Sequence, residues 1–515
     1  MRHDKGDGSA AWLAAFGESG AAPGQRHREL ALLASPPDWT PTLAESPSCR
    51  VVFDGVLDNG DELRAQLAEP LAGEPTTAQL VCQAYGRWGE EAIARLKGIF
   101  ALIVADPARD LLLCARDSLG IRPLFYAEVE STLLLSPAVE TLLARPGVSA
   151  EINRACLVDR LTRHWPANDE TYFTRVRRVP PGHVLRIHGG ERRVYRYWNP
   201  LPADGAMEWI PDDEAPERFE VLFRQAVARC LGAGPAAIYM SGGLDSSTLA
   251  MVAADLGGAR DLAPSCALSL VFSGTDRDEA ARQRGLASRL GLSQVQLPFE
   301  DAVGGAGTLA AALEMTRGLP APLALVWRPA LQRLAMLGRE RGCRVVLAGD
   351  GADEWLSPNA VMAADLLRSL DIAGLYQLWQ LFAGSFHFSR RQALRIVLGH
   401  YGVGQLLPDA YYAAANRLGA RTVMRQRWHS AAMRAAAAPP WVAPDPALRA
   451  AVTERLETSF IRAATGPRPE SYYLRDARSR LDTADKWFRE EETFLVGRRA
   501  GIPIREPFWD PDLIA

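Results

Sequence analysis

Along the first two hundred residues, short apolar runs bounded by turn residues alternate with amphipathic stretches. Arg50 to Asn59 predicts a strand running into a turn, Asp61 to Leu67 a helix, and Thr76 to Trp88 a second helix. Ile99–Ala105 and Asp110–Arg116 predict two strands about a proline-containing turn, and Arg116 to Tyr126 turns back into another. Arg175–Ile187 reads as strand, turn and strand, with Tyr195–Trp198 as a closing strand. Strands interleaved with two helices predict an α+β sandwich.

The pattern then changes. Asn199 to Glu214 is rich in proline, glycine and acid and has no period, which marks a linker, drawn here at 201–214 between domains at 1–200 and 215–515. Pro216–Leu231 is amphipathic and leads into the apolar run Ala236–Met240. Ala267–Phe272 and Ser293–Pro298 are further strands with a helical stretch, Asp278 to Leu290, between them. This alternation predicts a doubly wound parallel α/β sheet. Residues 360–440 are almost wholly helical in pattern and predict a helical insert.

Composition narrows the classes. The chain has 515 residues, enough for two or three domains, and 58 basic against 61 acidic residues argue against a general nucleic-acid or membrane-surface binder. Seven scattered cysteines without a CxxC pair fit reduced thiols in a cytoplasm. No apolar run approaches membrane-spanning length and no targeting signal opens the chain, so a cytoplasmic protein is expected.

Two stretches carry chemistry. Ser241-Gly242-Gly243-Leu244-Asp245-Ser246-Ser247 follows a predicted strand and opens a predicted helix. Two glycines let the backbone close around an oxyanion, and free N–H groups at a helix start point at it. Asp245 would repel phosphate unless a divalent metal sits between them, and Mg²⁺ binds through one or two carboxylates plus substrate phosphates. The loop therefore points to Mg²⁺-pyrophosphate, hence a nucleotide cleaved to AMP and pyrophosphate. The second stretch, Val345 to Leu356, is a buried strand ending in the turn Gly349-Asp350-Gly351-Ala352-Asp353-Glu354. At the carboxyl end of a parallel strand such a turn opens into the ligand crevice.

SGGLDSS resembles the pyrophosphate loop of the asparagine synthetase superfamily and its N-type ATP pyrophosphatase (adenine nucleotide alpha hydrolase-like) relatives. FDGVLDN (Phe53–Asn59), Trp88-Gly89 with Leu96 to Ala101, and RDSLGIRPLFY (Arg116–Tyr126) resemble that family's glutaminase domain, an N-terminal nucleophile sandwich. The resemblance implies that Asp245 and Asp353 hold Mg²⁺ and that residues 241–247 and Gly349 bind ATP and its pyrophosphate. It places Leu268, Ser269 and Leu270 where relatives hold adenine, a stretch equally readable as a plain buried strand. It makes Asp350 the candidate acid/base residue and puts Glu491 and Glu492 in a segment that lines the active site. A base at position 350 would need its proton affinity raised by burial or neighbouring carboxylates.

The departures matter as much. Relatives use a cysteine at residue 2, whereas this chain begins Met1-Arg2-His3, and Asp54 replaces the asparagine of the glutaminase motif. A glutaminase fold without glutaminase activity is expected, since arginine supplies no nucleophile. Arg116-Asp117 is expected to be an ion pair fixing its turn, and His183 a structural residue. Relatives also carry a transition-state lysine after the motif near Arg505–Asp510, and no residue of this chain, Lys486 included, is assigned that role. β-Lactam and carbapenam synthetases have tyrosine where this chain has Asp350. Residues 350–358 with Ala364–Arg368 look more like lasso-peptide cyclases.

The expectation is an ATP-dependent amide-forming ligase that adenylates a carboxylate for attack by an amine of the same substrate. Within it, lasso-peptide macrolactam formation is preferred, with a precursor peptide, a leader-peptide recognition protein and a leader peptidase as partners. A β-lactam synthetase-like or other small-molecule amide synthetase is the alternative, then ammonia-dependent asparagine synthesis, and a catalytically silent peptide- or nucleotide-binding scaffold stands outside the class. Tyr376, Trp379, Phe382, Phe386 and Phe388, followed by Arg390, Arg391, Arg395, Arg417, Arg421, Arg425 and Arg427, read either as a peptide-holding surface or as an ordinary helical subdomain.

Overall fold

In the computed structural model, residues 11–18, 28–34, 39–67, 74–162, 164, 166–201, 213–260, 266–276, 278–317, 319–356, 359–385, 388–407, 438–465, 471–481 and 483–515 are described. Most of the predicted linker, Ser357, Pro358, Phe386 and the arginines at 417, 421, 425 and 427 lie outside them.

The first domain is built on two antiparallel sheets. Strands β1 (Leu13–Glu18), β2 (Arg28–Ala34), β7 (Phe125–Val129), β8 (Thr132–Ser136) and β9 (Val176–Arg178) form one, in the order β2-β1-β8-β7-β9. Strands β3 (Thr42–Glu45), β4 (Arg50–Leu57), β5 (Gly98–Asp106), β6 (Leu111–Arg116), β10 (His183–His188) and β11 (Glu191–Arg196) form the other, in the order β11-β10-β6-β5-β4-β3. The sheets stack face to face: Trp12, Ala14, Phe16 and Leu135 from the first share a core with Val52, Ile103, Leu112 and Leu185 from the second. The outer face of the six-stranded sheet is covered by the helix Thr77–Trp88 through Leu80, Val81 and Tyr85. Thr76 caps that helix in a reciprocal pair with Gln79, which fixes its start. The stretch read as strand-turn-strand divides between the sheets, β9 joining one and β10 the other.

The second domain is a five-stranded, all-parallel sheet in the order β14-β13-β12-β15-β16: β12 (Ala236–Tyr239), β13 (Cys266–Val271), β14 (Ser293–Pro298), β15 (Val345–Leu347) and β16 (Ile504–Arg505). β12, β13 and β15 are buried nearly throughout, as strands covered on both faces must be. The helices Ala215–Leu231 and Leu244–Arg260 cover one face through Phe223, Val227 and Leu249; the helices Arg328–Glu340 and Ala484–Ala500 cover the other through Leu334, Ala335 and Val496. The insert supplies Met362–Ser369, Ile372–Ser385 and Arg390–Leu394, the last running into a π-helical turn to Val403. Asp365, in the stretch compared with the cyclases, accepts hydrogen bonds from Ser471 Oγ and the Tyr472 and Tyr473 amides at 2.8–2.9 Å, tying the insert to the helix Tyr472–Leu481.

Ion pairs lock the domains together. Arg505 meets Asp58 at 3.1 Å, Lys97 meets Asp512 at 2.9 Å, and Arg455 bridges Asp159 and Glu170 at 2.5 Å. Among the described residues no helix is long and apolar enough to cross a membrane. No two of the seven cysteines are joined in a disulfide.

Candidate active site

The two glycine-rich stretches meet because β12 and β15 are adjacent and parallel, with Ala236 opposite Val345 and Ile238 opposite Leu347. Both chains leave the sheet at the same edge. Gly349 packs so closely on the first loop that a Cβ there would stand 3.3 Å from the Ser246 amide nitrogen. Gly242 adopts φ +91°, the left-handed region that glycine enters without strain. Ser241 Oγ and Ser246 Oγ lie 3.0 Å apart, and Ser247 Oγ donates to Gly243 O at 2.6 Å, so the loop is pre-shaped by its own hydroxyls.

Between these turns lies a cavity of about 730 Å³, lined by Ser241, Asp245 and Ser246 on one side and by Gly349, Asp350, Asp353 and Glu354 on the other. Asp245 and Asp353 both line this cavity, and the Asp245 carboxyl is pushed up by burial and by the Asp353 charge. Among the described residues no group of three acidic, histidine or cysteine side chains could hold a metal alone. Two carboxylates beside an anion cradle are the donor set for Mg²⁺ shared with phosphate. The Gly351 amide donates to Glu354 Oε2 at 3.1 Å, which spends that carboxylate partly on its own turn.

The remaining expectations divide. Leu268 and Leu270 line the cavity, whereas buried Ser269 donates to Met240 O at 2.8 Å and points into the sheet. Gly242, Gly243, Leu244 and Ser247 belong to the loop but not to the cavity lining. Asp350 lines the cavity and is exposed, so of the two influences expected to act on it burial is absent, while Asp353 and Glu354 share the lining with it. Glu491 and Glu492 require correction: neither lines this cavity. Glu491 accepts from Arg116 Nη1 and Arg178 Nη2, each at 3.1 Å, and Glu492 from Arg328 Nε at 3.1 Å and the Ala324 amide. On a helix, consecutive side chains point about 100° apart, so one turn of glutamates serves three surfaces. Glu490 does not line the cavity either; it is buried against Glu506, which does.

The site also contains residues the sequence did not reveal. Phe272 and Trp327 line the cavity and pack with Phe299, ring centroids 4.8–5.5 Å apart, as an aromatic wall. Ile504 and Glu506 reach it from the last forty residues because β16 pairs with β15, and Thr493 reaches it from the helix Ala484–Ala500. Lys486 is buried with its ammonium 3.3 Å from the centre of the Trp509 ring, and burial lowers its pKa to about 8 against the pull of Glu490 and Glu506.

Asp54 is buried and accepts from Trp12 Nε1 at 2.7 Å, Trp39 Nε1 at 3.0 Å and Arg122. Arg116 turns away from Asp117, bonding Arg122 O, Gly120 O and Glu491; Asp117 instead accepts the Leu119, Ile121 and Arg122 amides at 2.8–3.2 Å. Both residues fix the turn, but not by the ion pair expected. His183 Nδ1 contacts Pro181 O at 2.6 Å, a structural role.

Residues 218–515 match the asparagine synthase family, and residues 2–198 match a glutamine amidotransferase domain. The chain belongs to the asparagine synthase family. It is 31% identical over 208 residues to asparagine synthetase [glutamine-hydrolyzing] 3 of Bacillus subtilis, covering 40% of this chain and 33% of that one. It is 30% identical over 348 residues to amidase chyE of Penicillium rubens, 63% of this chain and 49% of that one. A putative asparagine synthetase of Mycobacterium bovis is 27% identical over 379 residues, 69% and 55% of the two chains. The chain thus spans a third to about half the length of these relatives. The family matches fall on the two domains seen in the fold, on either side of the predicted linker.

Proposed function

We propose that this protein is an ATP-dependent ligase that forms an amide by way of an acyl adenylate. The observation that carries the reading is the convergence of the 241–247 loop and the 349–354 turn on one cavity, which Asp245 and Asp353 both line. Loop amides and hydroxyls would hold pyrophosphate, and the carboxylate pair would hold Mg²⁺, which supplies charge neutralisation when bound. Leu268 and Leu270 line the side toward β13, where adenine would rest. Among the described residues, seven carboxylates and one basic residue, Arg328, line the cavity, an environment that favours a metal-bound nucleotide and a cationic amine.

Within this class the reading is macrolactam closure of a lasso-type peptide, in which an Asp or Glu side chain is adenylated and the peptide's own N-terminal amine attacks. Aspartate rather than tyrosine at position 350 supports it, as does a cavity walled by Phe272 and Trp327, large enough for more than a nucleotide. A precursor peptide, a leader-recognition protein and a leader peptidase would be its partners. Holding both ends of one substrate together supplies much of the rate.

The test is incubation with ATP, Mg²⁺ and candidate precursor peptides, followed by mass. Loss of one water with AMP formed, and neither with Asp353→Ala, is the expected result. AMP formed only with small amino acids or ammonia moves the protein to a small-molecule or asparagine synthetase, and no AMP from any acid identifies a silent scaffold.

A further inference from the structure

Beside the 349–354 turn, the cavity wall contains a carboxyl group that the scheme above leaves unused, with a second buried behind it. Glu506 lines the cavity just after β16, only 8% exposed, and Glu490, 4% exposed, meets Glu506 from the helix Ala484–Ala500. They lie within hydrogen-bonding reach of one another. The Oε2 atom of each is buried with no hydrogen-bond partner among the described residues. An unmet carboxylate oxygen in a buried position is costly unless it has a function or a proton. One helical turn before Glu490, buried Lys486 supplies the countercharge, its ammonium held on the Trp509 ring.

We propose that the Glu490–Glu506 pair accepts the proton of the attacking amine, with Glu506 as the catalytic residue and Glu490 and Lys486 as its positioning residues. This rests on the amide-ligase reading. Two carboxylates in contact cannot both stay ionised, so the pair carries one proton and one negative charge at rest. Burial raises both groups, and the Glu490 charge raises Glu506 further, whereas the hydrogen bond with Glu506 holds Glu490 down. The groups facing them are Lys486, Arg328 and Asp350, with Asp117 and Glu354 acting on Lys486.

The amine arrives as an ammonium ion, and its proton passes to Glu506. The nitrogen lone pair then forms the C–N bond to the acyl carbon. The bond from that carbon to the phosphate oxygen breaks, its electron pair leaving with AMP. The second nitrogen proton leaves to the AMP phosphate. Asp350, exposed on the rim, is not the base in this scheme.

The experiment uses the full chain, ATP, Mg²⁺ and a synthetic peptide library in which each member has a free N-terminal amine and one internal Asp or Glu. Adenylation is read as hydroxamate after hydroxylamine is added, because hydroxylamine is neutral near pH 7 and needs no base. Closure is read as loss of one water. Glu506→Gln is expected to form hydroxamate and to lose closure by about a hundred-fold or more near neutral pH, part of it returning at alkaline pH where the amine deprotonates unaided. Glu490→Gln is expected to shift the pH profile of closure. Isotope-edited infrared spectra of the wild type without substrate are expected to show a protonated glutamic acid near neutral pH that either variant lacks.

Closure by Glu506→Gln at the wild-type rate overturns the proposal, as does parallel loss of hydroxamate and closure, or absence of the protonated-carboxyl band. A wild type that forms neither AMP nor hydroxamate with any acid overturns the ligase reading itself, a separate result from the others.

Discussion

Arg116 of the first domain and Glu491 of the second stand 3.1 Å apart, both buried, with Arg178 bonded to the same carboxylate. A residue from a glutaminase-like motif thus anchors the helix that carries Glu490 and Lys486. Removing Glu491 leaves two buried guanidinium groups uncompensated, whereas removing Arg116 leaves Glu491 still paired with Arg178. Glu491→Gln should therefore cost about 3–5 kcal/mol, and Arg116→Met less, by urea unfolding. The double variant should recover part of the loss.

Asp245 and Asp353 are expected to act through Mg²⁺. Asp353→Asn should weaken ATP binding in the presence of Mg²⁺ by about tenfold or more while leaving metal-free ATP binding unchanged or stronger, because a repulsive charge is removed. Calorimetric titration with and without Mg²⁺ checks this.

Gly351 links the turn to the chain's final motif. Its φ is +107°, and a Cβ would lie 2.9 Å from Trp509 Cδ1 and 3.0 Å from Phe508 Cβ. Gly351→Ala should lower stability by about 1–3 kcal/mol and displace Trp509, lowering ATP affinity as well. Thermal unfolding and indole fluorescence on ATP addition are the measurements.

Asp54 is held by two indoles and Arg122. No glutamine hydrolysis is expected, and Asp54→Ala should cost about 3 kcal/mol by leaving Arg122 and both indole N–H groups short of an acceptor. Ammonia release from glutamine and urea unfolding decide the two points.

The buried wall should also set the pH dependence of stability. The raised affinity of Glu490 and Glu506 means the folded state binds more protons there than the unfolded chain. Their stabilisation is full below the ordinary carboxyl range and is lost as pH rises through the raised values. Lys486 acts with the opposite sign: with its pKa near 8 against 10.5, its cost is full below about pH 8 and relieved between 8 and 10.5. Glu490→Gln should flatten the acid-to-neutral fall, and Lys486→Met should remove the alkaline rise, both read from urea unfolding across pH.

From the sequence alone come the domain order, the parallel α/β half, the anion loop and the carboxylate-bearing turn. These are local: apolar period, glycine spacing and residue type lie within a few residues of one another, so β12 and the helix after it appear almost where the pattern placed them. β1 and β2, the pairing of β16 with β15, and the split of β9 from β10 into separate sheets were not legible, because sheet partners are chosen by contacts distant in the chain. The glutamate run shows the same limit within the site. Composition marks residues 490–492 as one acidic cluster, and only the helix phase assigns Glu490 to Glu506, Glu491 to Arg116 and Arg178, and Glu492 to Arg328. What each charge does was decided by the partner that tertiary packing brought to it.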